Sequence, residues 1–319
     1  MSAPASPAAL PQKIAIVGAG AVGCYYGGRL AQHGNEVHFL MRSDYSAVKA
    51  HGLQIHSPLG DVHLQPVHCH QTTAEIGPCD LVIIAIKSTA NLALLDLLPP
   101  LLNENTRLLT LQNGLGNEEF LAQHFSAQPI SGGLCFVCIN RTAPGIIQHI
   151  AQGQIILGDH QQLASADSHA LAAEMKRCGI PCHVDDSLMR ARWKKLVWNV
   201  PFNGLSIVAG GIDTAAILDS APLTARVHAL MLEVITAANS LGHPIPLSLA
   251  DDMIARTRTM TPYKPSSLID FLDGKEVELE SIWGQALRQA TAAGVPMPEL
   301  QRLHTELSAS IAHRTPKHP

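Results

Sequence analysis

The sequence predicts an α/β chain in which a parallel-sheet domain is followed by an all-helical one. Three observations carry this expectation. A β-branched run, Ile14 to Val17, opens directly onto Gly18-Ala-Gly20-Ala-Val-Gly23 and then onto apolar residues at helical spacing. Two further apolar runs, Asp80 to Ile86 and Arg107 to Leu111, have the character of strands buried on both faces. From about Asp186 strand signals stop, and apolar residues recur only at helical spacing.

The elements follow in order. After strand 14–17, helical spacing runs through Tyr26 and Leu30 to Gly34, a residue suited to the left-handed position that ends a helix. Glu36 to Leu40 is the second strand and completes a β-α-β unit. Leu53 to His56 and Val62 to Val67 flank Pro58-Leu-Gly60-Asp61 and predict a hairpin. The run ending at Lys87 leads into a helix from about Ala90 to Leu98, and strand 107–111 ends in Gln112-Asn113-Gly114. Gly132 to Ile139, Gly145 to Ile150 and Gln154 to Leu157 predict further strands, with antiparallel additions among them. Leu163 to Arg177 has helical spacing, and Pro181 to Val184 is a last short strand. In the second half, helical spacing passes through Trp193, Val227 to Ala238, Leu279 to Ala293 and Leu300 to Ile311. The boundary is placed near 185. This divides the chain into a disordered start (1–12), a sheet domain (13–185), a helical domain (186–313) and a polar tail (314–319).

Composition narrows the function. A chain of 319 residues with 46% hydrophobic and 15% charged content is an ordinary globular protein, long enough for two cores. A net charge of −4 with no basic stripe argues against a nucleic-acid footprint. No uncharged apolar run reaches membrane-spanning length, and the start lacks the basic and apolar regions of a signal peptide. Seven cysteines, an odd number, fit reduced thiols and a cytoplasmic protein. Cys135 and Cys138 lie three apart on an expected strand and face opposite ways, so they do not form a chelating pair. His63 and His68-Cys69-His70 lack a second ligand group at finger spacing, and no metal is expected.

The glycine-rich turn carries the first chemistry. Gly18 permits the tight turn, Gly20 lets backbone approach a pyrophosphate, and Gly23 lets helix and strand pack closely. The phosphates then meet the helix N-terminus, where unpaired N–H groups and the dipole attract anions. The end of the second strand selects the cofactor. An acid there holds the ribose hydroxyls of NAD, whereas a cation suits the 2′-phosphate of NADP. This strand ends Phe39-Leu40-Met41-Arg42; Glu36 is at its wrong end and Asp44 is two residues too late. Arg42 has a planar fork that binds two phosphate oxygens, so NADPH is expected. Lys87 and Asn113 occupy the same carboxyl edge of the sheet and favour cofactor contact.

The second chemistry lies in Trp193-Lys-Lys195-Leu-Val-Trp-Asn199-Val-Pro-Phe-Asn203. Positions 195, 199 and 203 are four apart and share one helical stripe. One cation and two amides on such a stripe suit a 2-oxo acid, whose carboxylate and carbonyl oxygens need donors. Pro201 removes an N–H from this helix and predicts a kink, leaving the Val197 carbonyl without its usual partner.

With these pieces in view the chain resembles the ketopantoate reductase (2-dehydropantoate 2-reductase) family. The matching stretches are GAGAVGCYYGGRL, AIKS, QNGLGNEE, APGIIQHIAQGQIILG, WKKLVWNVPFN, YKPSSLIDFLDGKEVELE and GVPMPE. The resemblance implies a Rossmann-type dinucleotide-binding domain followed by an all-helical domain of the 6-phosphogluconate dehydrogenase C-terminal type. It implies NADPH-dependent reduction of 2-dehydropantoate to pantoate in pantothenate biosynthesis. The family's catalytic lysine matches Lys195, and its active-site glutamate matches Glu278. Its substrate-side residues match Asn199, Asn203, Ser266 and Asp270. Its cofactor positions match Gly18, Ala19, Gly20, Ala21, Val22, Gly23, Arg42, Lys87 and Asn113.

Three departures lie near the substrate residues. Val277-Glu278-Leu279-Glu280 stands where the family usually has Thr-Glu-Ile-Asp, Ile269 replaces a usual Gln, and Pro201 replaces a helix-compatible residue. Two alternatives therefore stay open: a paralogue reducing another small 2-oxo acid or related ketone, and a non-catalytic NADPH-binding regulator. The partner expected is a small 2-oxo acid, with no nucleic acid and no membrane; a homodimer is one assembly that the sequence allows.

Overall fold

Both faces of the first strand are covered: Ile14, Ala15, Ile16 and Val17 are completely buried. Such a run belongs at the centre of a parallel sheet with helices on either side. The computed structural model, which describes residues 13–314, places it there. The expected disordered start (1–12) and, Arg314 apart, the polar tail (314–319) lie outside the described residues. The chain divides into two compact units. One comprises the residues up to Gln112 with Asn117–Leu188; the other comprises Asn113–Gly116 with the residues from Met189 onward.

The strands of the first unit are β1 (Lys13–Val17), β2 (Glu36–Leu40), β3 (Leu53–His56), β4 (Val62–Leu64) and β5 (His68–His70). They continue as β6 (Leu81–Ile84), β7 (Arg107–Thr110), β8 (Ile130–Ala143), β9 (Ile146–Asp159) and β10 (Cys182–Val184). They form one sheet in the order β4-β3-β9-β8-β7-β6-β1-β2-β5, with β10 beside β9. The stretch β5-β2-β1-β6-β7-β8 is parallel throughout. Counting those strands alone along the chain gives the order 3-2-1-4-5-6 of a doubly wound dinucleotide fold, with its switch point between β1 and β6.

Helices α1 (Ala21–Gln32), α2 (Tyr45–His51), α3 (Thr73–Ile76), α4 (Leu94–Leu97), α5 (Asn117–His124) and α6 (Ala166–Arg177) belong to this unit. The period-2 alternation of β1 sorts its side chains between two cores. Ile14 and Ile16 pack with Tyr25, Tyr26 and Leu30 of α1 and with Phe39. Ala15 and Val17 join Val82, Ile84, Leu94, Leu98 and Leu121. Helix α1 stops as expected, with Gly34 in the left-handed region just past its cap.

Three elements differ from expectation. The helix expected over 90–98 is instead a 3₁₀ stretch, Ser88–Ala93, the single turn α4, and a second 3₁₀ turn, Pro99–Leu101. Pro99 and Pro100 lack the N–H groups that would bond the Leu95 and Asp96 carbonyls. The Ser88–Ala93 stretch also buries no side chain, so packing does not enforce a regular helix. The break expected before Gly145 is present as the turn between β8 and β9, but the one expected near Gln152 is not, so two strands of 14 residues each pair antiparallel where three were expected. Phe136 faces Gln154 and Val137 faces Gln152, so Gly153 is an extra residue that a bulge absorbs. Strand β4 ends at Leu64 rather than Val67, ahead of Pro66, which has no N–H for the ladder.

The second unit contains α7 (Leu188–Val208), α8 (Thr214–Asp219), α9 (Ala221–Ser240), α10 (Leu249–Arg258) and α11 (Ser266–Leu272). A π turn, Glu280–Gly284, then α12 (Gln285–Ala292) and α13 (Pro298–Ala312) complete it, and no strand occurs among its described residues. Trp193, Val197, Val200 and Leu205 of α7 pack with Val227, Leu230 and Val234 of α9 and with Leu300, Leu303 and Leu307 of α13. Helical structure passes through Pro201 without interruption. Next to the proline, the Val200 carbonyl accepts a hydrogen bond of 3.0 Å from the Trp283 indole N–H. Among the described residues, no helix is long and apolar enough to cross a membrane.

Candidate active site

The turn between β1 and α1 lies at the carboxyl end of β1, beside β6. Gly18 has φ +107°, and a Cβ there would meet the Ile86 nitrogen at 2.4 Å. Gly23 is equally closed: a Cβ would lie 2.2 Å from the Gly18 carbonyl oxygen. Gly20 is the opposite case, since a Cβ there would meet no described atom within 4 Å. Gly20 is also the N-cap of α1, where no side chain caps the helix and no acid stands in the first turn. The first N–H groups of α1, flanked only by Ala19, Ala21 and Val22, are thus suited to an anion from the open side. A dinucleotide pyrophosphate fits this cradle. Gly20→Ala should leave the melting temperature nearly unchanged, because its φ of −80° suits any residue. The added methyl should weaken binding of a reduced nicotinamide dinucleotide by about tenfold, read by nucleotide fluorescence titration.

Arg42 follows the end of β2. It is exposed and has no side-chain ion pair among the described residues. Asp44, the nearest acid after the strand, is buried at 3% exposure and already engaged. Its Oδ1 accepts from the Ser43 hydroxyl at 2.8 Å and from Arg141 at 2.5 Å, and its Oδ2 accepts from the Gly145 N–H at 3.0 Å. Lys87, also exposed, follows β6 on the same edge of the sheet.

A polar chain that the sequence reading did not identify crosses this edge. The Thr110 hydroxyl donates to Gln112 Oε1 (2.9 Å), Gln112 Nε2 to Asn91 Oδ1 (2.7 Å), and Asn91 Nδ2 to Asn117 Oδ1 (3.1 Å). Gln112 and Asn117 flank the 113–116 segment in the chain. Gln112 and Asn117 stand in a recognisable stretch, but Asn91 lies in the irregular 3₁₀ region and carries no local signal.

In the second unit, Lys195 Nζ donates to Asn113 Oδ1 at 2.8 Å. Asn113, expected among the cofactor contacts, therefore also positions the lysine. Lys194 is exposed, whereas Lys195 is half-buried. The segment carrying Asn113 is seated on the π turn. The Leu115 N–H donates to the Ser281 carbonyl at 2.8 Å, and a Cβ at Gly114 (φ +83°) would lie 2.2 Å from that oxygen. Only glycine fits there. π turns are rare and frequent at functional sites, and this one begins two residues after Glu278. Glu278 is 5% exposed, while Glu276 and Glu280 face solvent. The structure thus distinguishes the middle glutamate, which the sequence singled out only by family register.

Asn199, Asn203 and Asp270 are buried. Asn203 Oδ1 accepts the Ser267 N–H at 3.0 Å, which ties it to the first turn of α11, the helix that carries Asp270. Ser266 is exposed, and no side-chain hydrogen bond joins it to these residues among those described. The structure therefore groups Lys195 with Asn113 and Asn203 with α11, and it leaves Ser266 outside both. Among the described residues, no cluster of three or more His, Cys, Asp or Glu side chains could hold a metal. His38 and His70 instead bond each other, Nδ1 to Nε2 at 2.9 Å.

Comparison with known proteins gives the family. Residues 14–162 match the family model for ketopantoate reductase PanE/ApbA, and residues 187–310 match the model for its C-terminal part. A 2-dehydropantoate 2-reductase of Nostoc sp. is 38% identical over 301 residues, covering 93% of this chain and 94% of the relative. The crystal structure of 2-dehydropantoate 2-reductase from Geobacter metallireducens superposes with a TM-score of 0.90 at 42% identity, covering 93% of this chain and 99% of that one. The enzyme of the same name from Methylococcus capsulatus gives 0.89 at 34% identity, with 96% and 98% covered. The chain belongs to the ketopantoate reductase family of dinucleotide-dependent reductases.

Proposed function

We propose that this protein reduces 2-dehydropantoate to pantoate with NADPH, in the cytoplasm, as a step of pantothenate biosynthesis. The observation that carries the reading is the Lys195 ammonium, held 2.8 Å from Asn113 on the same helical stripe as buried Asn199 and Asn203. Residues 13–185 bind the dinucleotide through the Gly18–Gly23 turn, Arg42 and Lys87. Residues 186–313 supply the substrate and catalytic groups. Seven cysteines, an odd number, suit reduced thiols and support a reducing compartment.

When bound, NADPH supplies a hydride to the ketone carbon. Lys195 stabilises the negative charge that develops on the carbonyl oxygen and donates its proton there. Asn113 accepts one ammonium hydrogen and so orients the ammonium for the substrate oxygen. Glu278, a buried acceptor, orients a substrate hydroxyl or the lysine. Asn199 and Asn203 offer amide donors to the carboxylate, and Ser266 and Asp270 hold the rest of the substrate.

One observation favours a second reading. Ile269, Val277 and Leu279 adjoin Asp270 and Glu278 in the chain, and the first two stand where the family usually has the more polar Gln and Thr. A different branched 2-oxo acid would suit a more apolar surround. Steady-state NADPH oxidation with a panel of branched 2-oxo acids tests both readings. The expected result is a kcat/KM for 2-dehydropantoate at least about tenfold above the others. A higher value for another acid assigns that substrate instead. Tight NADPH binding without turnover of any acid replaces catalysis with a regulatory role.

A further inference from the structure

Asp44 is the acid that follows Arg42 most closely in the chain. It stands two residues too late to hold ribose hydroxyls itself, yet its negative charge next to Arg42 would oppose a 2′-phosphate there. It is the N-cap residue of α2, yet its side chain makes no capping bond. Its Oδ1 accepts instead from Arg141 of β8 and from the neighbouring Ser43 hydroxyl, and its Oδ2 from the Gly145 N–H of the β8–β9 turn. Arg141 also reaches the Ser43 hydroxyl at 3.2 Å, so the pair is locked to the segment that follows Arg42.

The charges matter to the dinucleotide turn. Cys24 stands in the first turn of α1, and its thiol is pushed up to about 12, by burial first and next by the negative charge of Asp44, with Arg141 pulling the other way. Both charges are therefore felt where the phosphate cradle begins. With Arg141 in place, the Asp44–Arg141 pair is neutral and Arg42 leaves a local charge of +1. Without it, the Asp44 carboxylate would cancel Arg42. Arg141 keeps 39% of its side chain exposed.

We propose that Arg141 sets the preference for NADPH over NADH by holding and neutralising Asp44. It acts as a positioning residue for the phosphorylated ribose rather than as a phosphate ligand. The inference rests on the NADPH reading above and goes beyond it in naming the residue that keeps the acid out of play.

Fluorescence titration of NADPH and NADH into the wild type, R141Q, R141K, D44N and the double variant D44N/R141Q tests it without any catalytic readout. R141Q is expected to lower the NADPH-over-NADH affinity ratio by about tenfold, through weaker NADPH binding, because an unscreened carboxylate would face the phosphate. D44N/R141Q should return the ratio to within about threefold of wild type, because no acid remains to be neutralised. R141K, which keeps the charge, should hold the ratio. An unchanged ratio in R141Q overturns the proposal. So does a double variant as impaired as R141Q, which would mean that Arg141 meets the phosphate itself. If R141Q fails to fold because it strands a buried carboxylate, the double variant and R141K decide the matter. A wild-type ratio near one removes the NADPH reading and this inference with it, whereas a high ratio that R141Q leaves intact removes only the role of Arg141.

Discussion

Lys195→Ala is expected to lower kcat by roughly two to four orders of magnitude, the range typical of a lost general acid that also stabilises developing charge. Lys194→Ala should leave kcat within about threefold, because an exposed lysine without such a role is a surface substitution. The two side chains leave the helix about 100° apart, so only one can share the stripe with Asn199 and Asn203. The contact between Lys195 and Asn113 selects that one. NADPH affinity, measured by fluorescence titration, should survive both substitutions, which separates loss of chemistry from loss of cofactor. If Lys194→Ala proved the crippling change, the stripe and the roles of Asn199 and Asn203 would be wrong together.

The parts of this molecule that the sequence revealed are those whose causes are local. Ile14–Val17, Gly18, Gly20 and Gly23 each serve a need set within a few residues: a buried strand, a left-handed turn, an open cradle and a close packing contact. The expected order of strand, turn, helix and strand is the observed one. The helix expected over 90–98 failed where a surface stretch with little to bury met Pro99 and Pro100. The 3.6-residue spacing of its leucines could not outweigh the missing donors. Strand β9 ran on past Gln152 and Gly153 because its partner β8, distant in rule if not in chain, kept pairing on both sides of the bulge.

The site divides in the same way. Lys195, Asn199 and Asn203 could be read from helical spacing because one helix carries them all. The hold of Asn113 on Lys195 could not, since the two residues are 82 positions apart. Nor could the π turn at Glu280–Gly284, whose carbonyl at Ser281 leaves no space for a side chain at Gly114. At the start of α11 the motif pointed to Ser266 for the substrate, and the group that ties this segment to Asn203 is the backbone N–H of the next residue, Ser267. Spacing locates a segment, and the atom within it is fixed by packing against partners far away in the chain.

Arg42→Ala should abolish most of the preference for NADPH over NADH. The argument begins with what is missing: the carboxylate nearest the end of β2 is engaged by Arg141, Ser43 and the Gly145 N–H, so it is not offered to ribose hydroxyls. Arg42 is exposed at the same strand end with no side-chain ion pair among the described residues, and its guanidinium can meet two phosphate oxygens at once. Losing a charge-assisted bidentate contact costs about 2 kcal/mol, or roughly thirtyfold in affinity. NADH lacks the 2′-phosphate, so its binding should change by less than about threefold. Arg42→Lys should fall between, because an ammonium keeps the charge and loses the fork. Because the contact is partly screened, the wild-type preference should also shrink as salt is raised from about 0.01 M to about 0.15 M, over which the Debye length falls from about 30 Å to about 8 Å. The variant's ratio should be nearly flat across the same range. Equal affinity of the wild type for both cofactors at low salt would remove Arg42 from the cofactor site and leave the choice of nucleotide to other residues.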